Sequence, residues 1–331
     1  MNINPKQWIQ NPLSDLLFYS LGWIAVLIAL IVFPNYWASI ILIVLLFNYV
    51  HRHYTFALVY GEKNEFNKHK RTYVMLPIAA TAVTAVSVFT NLFYLLLTVS
   101  VVWTMYHTIA QKYGITRIYS RKAGYGNGGI DKGIIYSWFA FIFLYSAYTG
   151  KETLMKYDAG KVLLSHITSY MNIINYLIAL SLVVALYFTL RYFYIEYQNR
   201  DRLSIPKNIY VISIIALFMT FLYSLEAGYI VFGFSHALEY IAFVNFFVAA
   251  KYSKPDVPKN SLLSKASKKL WLYSGLFTVA IVVFCLIGRG FNEQAFLIYI
   301  IGSSFLHFIY DGMIWKVRRP EVGKPLEIKY T

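Results

Sequence analysis

The chain holds one cysteine, Cys285, in 331 residues, so no disulfide can form within it. Inside an apolar run that thiol reads as a small hydrophobe. Charge is scarce too: Asp, Glu, Lys and Arg make up 14% of the residues and hydrophobic types 58%. A soluble globular domain carries roughly 25% charged residues, so that class is set aside. Acidic residues are the scarcest, 15 against 30 Lys and Arg, for a net charge of +15. The basic residues are spread over the connections between apolar runs. That spread argues against nucleic acid as a partner and for loops held at a cytoplasmic, anionic membrane face. Met1–Asp15 lacks the charged start and cleavage site of a secretory leader, so the first apolar run is expected to be retained. No internal repeat or domain linker is evident. The turn-rich Gly124–Gly129 stretch lacks the Lys-Ser/Thr ending of a phosphate loop.

Apolar runs of bilayer length fill the rest. Mean hydropathy is +0.52, and aromatics reach 19%, with 30 Tyr and 25 Phe, as interfacial belts require. The runs are Leu16–Phe33, Trp37–Tyr60, Tyr73–Phe89, Leu92–Lys112, Gly133–Thr149, Asn172–Tyr194, Ile209–Ser224, Gly228–Ala250, Leu270–Ile287 and Ala295–Trp315. Crossing the hydrocarbon takes about 17 to 25 such residues. With the N-terminus inside, 25 of the 30 basic residues fall in cytoplasmic segments and 4 outside, while Arg52 lies within a span. This predicts an all-α, polytopic membrane bundle over residues 1–331, one domain of about ten transmembrane helices, N-in and C-in, in the cytoplasmic (inner) membrane.

Thirteen of the 15 acidic residues fall in loops or at span edges; only Glu239 and Asp311 lie well inside spans. A carboxylate there costs several kcal/mol unless it is paired or binds something, so it marks function by default. His236 precedes Glu239 by three residues and His307 precedes Asp311 by four, which sets each pair on one helix face. His51, His53 and His107 are also intramembrane. All five histidines lie on even-numbered runs, about 5 to 14 residues from the expected cytoplasmic ends, hence at a similar depth. Four helices could thus aim imidazoles and carboxylates at one volume in the cytoplasmic half of the membrane, as a metal site in a helical bundle requires. Asn48 and Gln111 stand one turn from His51 and His107, where their amides could orient the ligands. Arg52 could snorkel to headgroups or neutralise an anionic substrate head. On a straight helix His51 and His53 point about 200° apart, so only one is expected to face the others, and Asn48 favours His51. Tyr54, Tyr106, Tyr240 and Tyr310 neighbour these residues and read as packing.

On His51-x-His53, His107, His236-x-x-Glu239 and His307-x-x-x-Asp311, the chain resembles, at the level of class, the histidine-rich integral-membrane non-haem iron oxygenases. These include fatty-acid desaturases and hydroxylases, alkane monooxygenases and the carotene-cleaving membrane oxygenases. It carries neither the H-x-x-x-H nor the H-x-x-H-H box of the desaturase group. The resemblance implies a metal-dependent oxidoreductase with one or two irons that activate dioxygen, a lipid-soluble substrate entering from the bilayer, and an electron-donor protein. Zinc is the alternative metal, for lipid hydrolysis. Two other classes stay open: a proton-coupled transporter using buried His and acid groups, and a haem electron-transfer protein with His51 or His53 and His107 as axial ligands.

Overall fold

A computed structural model describes residues 5–167, 171–255, 257, 261–317 and 319–328. Ten helices carry the ten apolar runs: α1 Trp23–Val32, α2 Trp37–Tyr60, α3 Lys70–Val88, α4 Phe93–Ala123, α5 Gly128–Thr149, α6 Met171–Gln198, α7 Ile205–Tyr223, α8 Leu225–Tyr252, α9 Leu270–Phe291 and α10 Glu293–Ile314. Among the described residues there is no strand. This follows from the solvent: where no water can satisfy N–H and C=O groups, a lone segment must bond its own backbone, and only a helix does so.

Eight of these helices, α2 to α4 and α6 to α10, are long and apolar enough to cross a membrane. A ninth span is possible by length if Pro12–Ser20 and α1 count as one, a pair bent by 51°. The expected first run, Leu16–Phe33, is therefore broken rather than straight, with a π-helical turn at Asp15–Ser20. Asp15 opens that turn. It is fully buried and accepts the backbone N–H groups of Ile9 (2.8 Å) and Gln10 (3.0 Å) and the Tyr119 hydroxyl (2.8 Å). Helix α5 is not among the eight because its first turn, Gly-Gly-Ile-Asp-Lys-Gly, and its Ser and Tyr residues dilute its hydropathy.

The chain forms two compact units whose boundaries fall inside α2, α4 and α8 and near the C-terminus. The first comprises residues 1–41, 105–236 and 327–331. In it α5 packs on α6 and α7, and α7 on the Asp15–Ser20 turn. Phe139, Phe218, Phe221 and Phe232 form its aromatic core, with ring centroids 5.2 to 6.3 Å apart. The second comprises residues 42–104 and 237–326, where α10 packs on α3 and α9. Its core holds Val50, Tyr54, Leu58, Tyr73, Tyr240, Val244, Tyr310 and Ile314.

Candidate metal centre

In the second unit, α2 and α10 bring together residues more than 250 positions apart. Helix α2 carries His51 and Thr55 four residues apart, so their side chains stack on one face a turn apart. Helix α10 does the same with His307 and Asp311. All four are buried. The two imidazoles meet edge to face, ring planes 86° apart, with His51 Nε2 3.1 Å from His307 Nε2. Asp311 Oδ2 lies 3.7 Å from His307 Nε2.

The Thr55 hydroxyl sits at the hub of this cluster. Its Oγ1 is 2.7 Å from His307 Nδ1, 2.9 Å from Asp311 Oδ1 and 2.6 Å from the Tyr240 hydroxyl. Tyr240 donates to the same Asp311 Oδ1 at 2.6 Å, and the Trp315 indole N–H donates to the Tyr240 oxygen at 3.1 Å. Thr55 has a single hydrogen, and giving it to Asp311 leaves Oγ1 to accept from His307 Nδ1–H. That tautomer presents the lone pair of His307 Nε2 to His51. One of two things must then fill the gap: an N–H of His51, or a cation shared by the two rings. The spacing suits a cation. Imidazole nitrogens about 2.0–2.1 Å from one ion, at angles between square and tetrahedral, stand about 2.9 to 3.4 Å apart.

The neighbouring predicted residues take other places. His53 does not join this cluster: Nδ1 lies 2.5 Å from the Tyr49 carbonyl and Nε2 bonds the Tyr299 hydroxyl. Arg52, expected either to snorkel to headgroups or to meet an anionic substrate head, is bonded to protein groups. It is 7% exposed and donates to the carbonyls of Ile300 (2.6 Å) and Asn48 (3.2 Å) and to Ser303 Oγ (3.0 Å). The Asn48 side chain bonds the Val44 carbonyl, one turn back. Glu239 is 1% exposed on α8, one turn after His236.

In the first unit, His107 and His236 are buried with their rings edge to face, centroids 5.1 Å apart. Gln111, expected to assist His107, donates to the His236 backbone carbonyl at 3.1 Å. Lys112, at the expected cytoplasmic end of its apolar run, is 1% exposed and donates to Ser235 Oγ at 2.6 Å.

That unit also holds an ion network the sequence reading missed. Asp131 and Glu196 lie at helix edges as expected, yet both are buried. Glu196 accepts from Lys207 Nζ at 2.7 Å, and from Tyr125 and Asn208 at 2.6 Å each. Asp131 bonds Arg117 and accepts from Ser120 at 2.7 Å. Burial first, and then the bond to Glu196, pushes the Tyr125 phenol above its ordinary range. Every member has an opposite charge or a donor, as buried ions must, so this network reads as structural.

Buried histidines and an aspartate of this chain could thus hold a metal ion. Comparison with family models, curated proteins and solved structures gives no match.

Proposed function

We propose that this protein is a membrane-embedded oxidoreductase that uses non-haem iron on a lipid-soluble substrate. The observation that carries the reading is the pair of buried Nε2 atoms of His51 and His307, 3.1 Å apart, beside the Asp311 carboxylate. Two imidazoles and a carboxylate are the ligand set of non-haem ferrous sites, which leave coordination positions open. Bound there, iron would supply dioxygen activation. The chain's own residues would do the rest. Thr55 holds His307 in one tautomer and one ring orientation, and Asp311 fixes Thr55. The apolar surroundings exclude water, and the carboxylate offsets metal charge. Arg52, one residue beyond His51, remains the proposed contact for an anionic substrate head, and a cytoplasmic protein would deliver electrons.

The topology that suits this reading is ten spans, N-in and C-in, in the inner membrane, because the basic residues divide 25 to 4 on that count. Elemental analysis and the visible spectrum of detergent-purified protein test the function. About one to two irons per chain without a Soret band are expected, with iron lost in His51→Ala, His307→Ala and Asp311→Ala. A Soret band would replace the reading with a haem protein, stoichiometric zinc with a hydrolase, and a colourless, metal-free sample with a transporter. The same assay on His107→Ala, His236→Ala and Glu239→Ala tests the wider ligand set read from the sequence.

A further inference from the structure

Beside the His51–His307 pair runs a chain of oxidisable side chains that the metal reading does not use. Tyr240 is 2% exposed, and its hydroxyl gives its hydrogen to Asp311 Oδ1 at 2.6 Å. Its ring stands edge to face with His307, centroids 5.3 Å apart, and with His51 at 5.8 Å. On the far side the Trp315 indole N–H bonds the Tyr240 oxygen at 3.1 Å, and the two rings are 6.2 Å apart at 82°. Trp315 caps the end of α10, where its N–H bonds the Asp311 carbonyl at 3.0 Å. It is half-buried, packed against Phe243 and Phe247 at 4.9 and 5.1 Å, and followed directly by Lys316 and Val317. The order from the buried pair outward is therefore imidazole, phenol, indole, helix end.

Each contact has a use in electron transfer. A phenol is hard to oxidise unless its proton leaves with the electron, and Tyr240 is bonded directly to a carboxylate. An indole can lose an electron and keep its proton, and Trp315 is the one at the helix end.

We propose that Tyr240 and Trp315 form a one-electron relay between the buried His51–His307 site and the end of α10. Tyr240 gives one electron to a high-potential oxidant generated from dioxygen at the site, and its hydroxyl proton moves to Asp311. The tyrosyl oxygen then takes an electron from Trp315 and recovers the proton from Asp311, leaving a tryptophan radical cation. A one-electron protein reductant at the helix end restores Trp315. One electron has passed inward and no proton has been consumed. The oxidant in this sequence rests on the iron reading; the relay itself does not, and it is tested without metal.

The full chain, treated with chelator and held in nanodiscs, is photo-oxidised by a ruthenium tris-bipyridine flash with a sacrificial electron acceptor. Freeze-quenched samples are read by electron paramagnetic resonance. A neutral tyrosyl radical is expected to form and to lose most of its yield in Tyr240→Phe, which keeps the ring and its packing. Trp315→Phe is expected to slow its appearance. Tyr54→Phe, a buried tyrosine outside this chain of contacts, controls for general loss of tyrosine and should leave the yield unchanged. Unchanged yield in Tyr240→Phe, or unchanged rate in Trp315→Phe, overturns the relay. Because no metal is present, neither result depends on whether iron binds.

Discussion

Replacing Thr55 with valine removes one oxygen and keeps the shape of the side chain. Thr55 is fully buried, and its hydroxyl reaches His307 Nδ1, Asp311 Oδ1 and the Tyr240 hydroxyl within 2.6 to 2.9 Å. Hydrogen bonds between membrane helices average about 0.6 kcal/mol and soluble ones about 1 kcal/mol, so losing the two that Thr55 makes, to Asp311 and from His307, costs about 1–2 kcal/mol. The true figure belongs at the lower end, since Tyr240 still donates to Asp311. The larger consequence falls on His307. Without Oγ1 the proton on Nδ1 loses the acceptor that fixes the ring, and the proton can move to Nε2, the atom that faces His51. Loss of such an orienting partner typically lowers metal affinity 10- to 100-fold. Thermal unfolding in detergent and iron competition against a calibrated chelator measure the two effects separately. A Thr55→Val protein with unchanged iron affinity would refute the role of Thr55 in setting the His307 tautomer, whatever its stability. Thr55→Ser, which retains the hydroxyl, should restore affinity.

Three further outcomes follow from named contacts. His51→Ala should lose iron while His53→Ala is milder, because both nitrogens of His53 are taken by Tyr49 and Tyr299; equal, complete loss of iron in both would contradict this. Lys207→Met should lower stability by about 3–5 kcal/mol, because it strands the buried Glu196 carboxylate, and leave iron content unchanged. A thermal shift no larger than that of a surface control would show the network to be dispensable. Reporter fusions after Arg71, after Lys122 and at the C-terminus should all read cytoplasmic, and an external signal at any of them breaks the ten-span count.

The helical class was legible because a run of apolar residues in a bilayer has few ways to satisfy its backbone. Most of the ten runs coincide with a helix to within a few residues, whereas the first is broken ahead of Trp23 and the helix of the fourth continues to Ala123. Relations inside one helix were legible for the same reason: His307 and Asp311 share a face because four residues make one turn. His51 turning toward His307, with His53 elsewhere, follows from that periodicity together with the polar Asn48.

Contacts between helices lay beyond any such count. Thr55 is an unremarked hydroxyl in the sequence, and it matters only because α10 places His307 and Asp311 within 3 Å of it. Tyr240 reads as one of 30 tyrosines until packing sets it against Asp311. Asp131 and Glu196 look like loop-edge acids, and Lys207 like another positive-inside charge, until α5, α6 and α7 close over them. A composition rule counts each charge separately, whereas a buried ion persists only with its partner, and partners 11 to 256 residues away are chosen by the packing of side chains alone. Helical class, and which residues share a helix face, are therefore properties of the sequence. Which imidazole meets which, and which hydroxyl holds it there, are decided by the tertiary structure, because those distances are set by helix against helix.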